Sequence, residues 1–147
     1  MGLLKIAKVP APFIEPGATV LEAVSIMARE RVGAIAIVDI KVDGKVQGIF
    51  TERDLMLRVV QKELNPRETK VRDVMTSPVS TASRNTSPSD ALALMITRHL
   101  RHLPIIGNDG YIEGMLSIRD LLQDKMDDLT RELNSVDQYL LNDGPGG

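Results

Sequence analysis

Gly48-Ile49-Phe50-Thr51-Glu52-Arg53-Asp54 and Gly114-Met115-Leu116-Ser117-Ile118-Arg119-Asp120 are two versions of one stretch. Each reads as a glycine, two apolar strand residues, a hydroxyl residue, and an aspartate three positions further on at a helix start. The likeness extends outward. Thr19, Glu22, Ala23, Met27 and Ile37 stand 68 positions before Ser87, Asp90, Ala91, Met95 and Ile105, whereas Gly44, Gly48, Thr51 and Asp54 stand 66 before Gly110, Gly114, Ser117 and Asp120. The change of offset marks a two-residue insertion near Ile40-Lys41-Val42. That position is a predicted hairpin turn, Lys41-Val42-Asp43-Gly44-Lys45, matched by Asn108-Asp109-Gly110, and surface turns tolerate insertions. A unit repeated only twice is no solenoid. It predicts one body with internal pseudo-twofold symmetry.

Local signals place elements around this stretch. Pro10, Pro12 and Pro16 keep residues 1–16 from regular helix. Thr19-x-x-Glu22 is a capping box for a helix over 20–32, with Val20, Ala23, Val24, Met27 and Ala28 at helical spacing. Ile35–Val38 is a continuous β-prone run and predicts a buried strand. Lys45–Phe50 predicts a second strand and Glu52–Gln61 a second helix. Asn65-Pro66-Arg67-Glu68 reads as a linker. In the second copy, Val71–Met75 predicts a helical turn and Val79-Ser80-Thr81 a short strand. Ser87-Pro88-Ser89-Asp90 starts a helix that runs to Leu100, with proline at the first helical position. Leu103–Ile106 is the next strand, whose Pro104 is expected at its start or at a sheet edge. Tyr111–Leu116 follows, and a long helix begins at Ser117.

Within that helix Leu122, Met126, Leu129, Leu133, Val136 and Leu140 are spaced 4, 3, 4, 3, 4, an a/d heptad seam. Two readings are open: the stripe packs on the protein's own body, or it pairs with the same helix of a second subunit. The tail Asn142–Gly147 is expected to be disordered.

Composition narrows the function classes. The 147 residues make one domain-sized unit, 43% hydrophobic with few aromatics. A net charge of −2 gives no basic field for nucleic acid. With no cysteine, disulfides, thiolate metal sites and cysteine catalysis are excluded. No apolar run reaches the length of a membrane span, and the N-terminal residues lack a signal-peptide core. A cytoplasmic protein without membrane contact is the expectation.

Taken together, the element order and the paired Gly-h-h-Thr/Ser-x-x-Asp signature resemble a tandem pair of CBS domains, a Bateman module, over residues 3–124. Val71-Arg72-Asp73-Val74-Met75-Thr76 resembles the family's lead-in, and Arg101-His102-Leu103-Pro104-Ile105-Ile106 its second-strand start. The resemblance implies an α/β (more narrowly α+β) fold: two pseudo-symmetric βαββα units packed through their sheets, here with a long C-terminal helix. The expected divisions are 1–64 for the first unit with its arm, 65–70 for the linker, 71–124 for the second unit, and 125–147 for the helix extension and tail. It also implies a regulatory sensor of adenosyl ligands such as AMP, ADP, ATP, NAD or S-adenosylmethionine, with no obligatory cofactor. A homodimer is expected, as is a separate regulated protein, since no enzyme or channel domain accompanies the pair in these residues.

The expected binding residues are Thr51, Arg53, Asp54, Arg101, His102, Ser117, Arg119 and Asp120. Thr51 and Ser117 stand where free backbone N–H groups and the helix dipole favour an anion. By resemblance, Asp54 and Asp120 accept from ribose hydroxyls, as acidic residues of dinucleotide folds do; Arg53 and Arg119 lie beside them, and the guanidinium group suits phosphate. Arg101 and His102 are where the family places phosphate-binding cations, and the first copy has Gly33 and Ala34 there. Either the two clefts differ in affinity or both ligands' phosphates converge on the second copy's cations. Other readings need no ligand: Thr/Ser-x-x-Asp is also a capping box, His102 a sheet-edge histidine, and Arg98 part of a solvated helix face. His99 and His102 lack a carboxylate to complete a metal set. No P-loop or nucleophile elbow occurs, so an enzyme is not expected.

Overall fold

The computed structural model describes residues 2–142. The expected unstructured tail lies, from residue 143 onward, outside the described residues. A 3-10 turn, Leu3–Lys5, opens the chain. Then come β1 (Phe13–Ile14), α1 (Val20–Glu30), β2 (Ala34–Val38), β3 (Val46–Thr51) and α2 (Glu52–Asp54), which runs on as a π-helix, Leu55–Val60. The second copy is α3 (Val71–Val74), β4 (Ala82–Ser83), α4 (Pro88–Thr97), β5 (His102–Ile106), β6 (Ile112–Ser117) and α5 (Ile118–Asn142). The sheets have the orders β1-β2-β3 and β4-β5-β6, each with one parallel and one antiparallel pair. The fold is thus the expected pair of like α/β units with a long C-terminal helix.

The alternation of side chains in β2 explains how the units meet. Ile35 and Ile37 enter the first core with Val20, Met27 and Phe50. Ala34, Ala36 and Val38 point the other way and pack with Ile49 and with Met115 of the other sheet. Every β2 side chain is buried, as a strand covered on both faces requires.

The lead-in segments are exchanged between the copies. Lys8 pairs with Met115 by N–H···O bonds of 2.9 and 3.0 Å, and Thr76 pairs with Ile49 by bonds of 3.0 and 2.8 Å. Sequence position sets residues 3–8 beside the first copy, yet Leu3 is fully buried in the second core with Leu103, Leu116 and Leu121. Val71 and Val74 likewise pack in the first core. Each glycine of the repeated signature makes room for this. A Cβ on Gly48 would lie 2.6 Å from Met75 Sδ and 2.9 Å from the Thr76 carbonyl oxygen. On Gly114 the nearest atoms, Leu4 Cδ2 and Val9 Cγ2, would be 3.2 Å away.

Several expectations are corrected. The short strand of the second copy is Ala82–Ser83, not Val79–Thr81, and Pro104 sits mid-strand in the central β5 rather than at a start or edge. One cause serves both. In the first copy Ala36 N–H donates to Pro12 O at 3.1 Å; Pro104 occupies the equivalent place and has no N–H, so β4 pairs one step later, opposite Ile105 and Ile106. The helix expected to reach Leu100 ends at Thr97, because His99 turns left-handed (φ 56°) and Leu100 N–H closes on Met95 O at 2.8 Å. The helix expected over Glu52–Gln61 is α-helical only to Asp54 and π-helical beyond. The seam of α5 does not pack on the body: Leu122 is 43% exposed, and Met126, Leu129, Leu133, Val136 and Leu140 are 53–65% exposed. Among the described residues no helix is long and apolar enough to cross a membrane.

Gly48→Ala is expected to destabilise the fold by about 1–3 kcal/mol, since its methyl group meets backbone. Gly114→Ala should cost less, because its nearest neighbours are side-chain ends that can yield and the Lys8 carbonyl oxygen stands further off, at 3.3 Å. Urea unfolding of the two variants measures the difference, and equal losses would contradict the close approach at Gly48.

Candidate functional site

Two clefts, of about 590 and 540 Å³, open where the exchanged segments cross. Each is composite. The first is lined by Ser117, Arg119 and Asp120 of the second copy, with Lys8, and by the α1–β2 turn of the first copy, Arg31-Val32-Gly33. The second is lined by Thr51, Arg53 and Asp54 of the first copy, with Thr76, and by the α4–β5 turn of the second, His99-Leu100-Arg101. Arg101, His102, Gly33 and Glu52 line both. All eight residues expected from the sequence therefore lie on one cleft or the other, with the Arg101-His102 pair between them.

Strand register puts His102 there. It pairs with Ser117 as Ala34 pairs with Thr51. In β5, Leu103 and Ile105 face the core, so alternation turns His102 toward the sheet-to-sheet face. Room for the ring comes from Gly33: a Cβ at that residue would lie 2.8 Å from Glu52 Oε1, 3.0 Å from His102 Cε1 and 3.1 Å from His102 Nε2. Burial pushes the His102 imidazole below the ordinary histidine value; Arg101 pushes the same way, while Glu52 and Asp120 oppose it.

The two hydroxyl–aspartate pairs are not alike. Asp54 is only 6% exposed. Its Oδ2 accepts from Thr51 N–H at 3.0 Å and Thr51 Oγ1 at 3.2 Å, and its Oδ1 accepts from Thr76 Oγ1 at 2.9 Å. Arg58 Nε lies 3.6 Å from the same Oδ1. The Asp54 N–H donates to Thr51 Oγ1 at 3.2 Å, completing a capping box. At the second pair only the backbone half of the cap forms: Asp120 N–H donates to Ser117 Oγ at 3.1 Å. Asp120 is exposed, and among the described residues its carboxylate has no hydrogen-bond or ion-pair partner.

Residue-by-residue reading missed several cleft residues. Arg31 and His99 hold equivalent left-handed positions, each with φ 56°. A non-glycine residue there costs about 1 kcal/mol, and such strain gathers at functional sites. The available signal was that both helices stop without the usual glycine cap. Lys8, Thr76, Glu52 and Arg58 carried no such signal, because their roles arise from the exchange. Among the described residues no group of three or more histidines and carboxylates is placed to hold a metal ion.

Comparison with known proteins agrees with this geometry. The CBS domain family matches residues 5–61 and 71–127, so the chain belongs to that family and carries the domain as a tandem pair. It is 36% identical over 108 residues to a protein of Methanopyrus kandleri, covering 74% of this chain and 54% of that one; the chain thus spans about half the length of that relative. Among solved structures it resembles a protein with CBS domains from Burkholderia ambifaria, with TM-score 0.76 and 28% identity over 87% of this chain and 96% of the other. It also resembles a CBS domain protein of Pyrobaculum aerophilum complexed with AMP, with TM-score 0.73 and 25% identity over 82% and 89%.

Because His102 titrates below its ordinary value in the fold, the unfolded chain takes up the proton first as pH falls. The folded state then loses stability from the ordinary histidine range downward, levelling off once folded His102 is itself protonated. The melting temperature should therefore fall more steeply for the wild type than for His102→Gln between about pH 7 and about pH 5. Parallel curves would contradict this.

Proposed function

We propose that the chain is a regulatory sensor of adenosyl nucleotides, of the AMP, ADP, ATP, NAD or S-adenosylmethionine class, acting on a separate protein. One observation carries the reading: the Thr/Ser-x-x-Asp pair of each copy faces, across a cleft, the turn of the other copy, with Arg101 and His102 between. A ribose diol suits the aspartate, and phosphate suits the cations and the helix start. The AMP bound by the Pyrobaculum aerophilum protein supports the ligand class. A ligand in such a cleft touches both units, so its binding favours whichever packing of the two fits it best and biases any surface that differs between packings. The reading contains no catalytic step.

The working form is a homodimer joined through α5. Every residue from Leu129 to Leu140 is exposed, and a lone helix of that length is marginal in water. The seam has the a/d spacing that fits a copy of itself. Its six apolar side chains on two copies would remove on the order of 1,000 Å² from water, about the least a specific dimer needs.

A calorimetric titration of protein stripped of carried-over ligand with AMP, ATP, NAD and S-adenosylmethionine tests the first part. Micromolar binding of one of them is expected, and no heat with any would leave a scaffold with unoccupied clefts. For the second part, Leu129→Glu/Leu133→Glu is expected to halve the mass measured by light scattering without lowering the melting temperature of the body. A mass unchanged from wild type would remove the role of α5.

A further inference from the structure

The two clefts differ in what a ligand must displace. To meet a ribose diol, Asp54 must give up buried hydrogen bonds from Thr51 and Thr76 and its contact with Arg58. An ionised carboxylate offers about four acceptor sites; three are taken by hydrogen bonds, and Arg58 Nε stands beside Oδ1 at ion-pair distance, 3.6 Å. Thr51 Oγ1 is engaged as well, accepting from Asp54 N–H and donating to Oδ2. Asp120 gives up nothing. The contrast originates in two exchanges between equivalent positions: Arg58 of the first copy is Asp124 in the second, and Thr76 is Lys8. One turn beyond Asp120, therefore, there is a like charge instead of a cation that would fold back on it. Fixed charge is similar in the two: Arg31, Arg101 and Arg119, with Lys8 paired to Glu30 at 3.5 Å, line the first cleft beside Glu52 and Asp120, and Arg53, Arg58 and Arg101 line the other beside Glu52 and Asp54.

From this we infer that, on the nucleotide-sensor reading above, the chain takes up a nucleoside phosphate first in the Ser117/Asp120 cleft, and that in the Thr51/Asp54 cleft the ribose-accepting carboxylate is occupied by its own Thr76 and Arg58. The second cleft is then a latent site. Breaking charge-assisted buried bonds weakens it by roughly ten- to a hundredfold, so at moderate nucleotide concentration a single molecule binds per chain. Only high concentration, or a partner that draws Arg58 or Thr76 away, opens the second.

The test uses the full chain and AMP as probe, with binding and stoichiometry read by calorimetry and folding checked by thermal unfolding. The wild type is expected to bind one AMP per chain in its tighter phase. Asp120→Ala, an exposed position, should keep the melting temperature and lose at least about tenfold in affinity. Arg58→Ala/Thr76→Ala should gain a second AMP per chain. Two equivalent AMP molecules on the wild type would overturn the inference, as would full binding by Asp120→Ala or a stoichiometry unchanged in Arg58→Ala/Thr76→Ala. No AMP bound by any of the proteins strikes instead at the AMP-sensing reading beneath it, a result distinct from binding at the wrong cleft.

Discussion

The structure depends on a backbone exchange. Lys8 and Thr76 stand at equivalent positions of the two copies, and each ladders onto the edge strand of the copy it does not precede, at Met115 and Ile49. An edge strand with unpaired N–H and C=O groups would otherwise stand exposed. Here each crossing segment pairs with part of that edge through a single two-bond bridge, and in doing so ties the two units together. The repeated glycines are part of this device, since any side chain on Gly48 would occupy the space of the Thr76 carbonyl.

The clefts follow from the exchange. Once each lead-in crosses to the other sheet, the strand-to-helix corner of one copy faces the helix-to-strand turn of the other. Each cleft is therefore lined by both units. The left-handed Arg31 and His99 make sense in this setting: a glycine would relieve the backbone, but would leave the cleft mouth without a side chain.

Pseudo-symmetry is then broken at a few side chains, and these determine the chemistry. His102 replaces Ala34 on the buried face between the sheets, so the ionisable ring belongs to both clefts and titrates below its usual range. Arg58 and Thr76 close over Asp54, while Asp124 and Lys8 leave Asp120 open. The backbone offers two like sites, and the side chains make them unequal.

Much of this was legible in the chain itself. The duplicated Gly-h-h-Thr/Ser-x-x-Asp stretch, the offset of 68 falling to 66, and the capping residues Thr19 and Ser87 are local signals, because turns, caps and apolar periodicity depend on near neighbours. They determined the repeat, the main helices and strands of each copy and six of the eight candidate residues, whereas Arg101 and His102 came from the family resemblance and the strand Phe13–Ile14 was not expected. The pairing of Pro104 inside a central strand, the end of α4 at Thr97 and the π-helical turn after Asp54 were decided by tertiary contacts, as were the roles of Lys8, Thr76 and Arg58. The physical reason is that each of these rests on a partner far away in the chain. A proline is tolerated mid-strand only because the opposite strand starts late, and an aspartate is closed or open according to which side chain a crossing segment delivers to it.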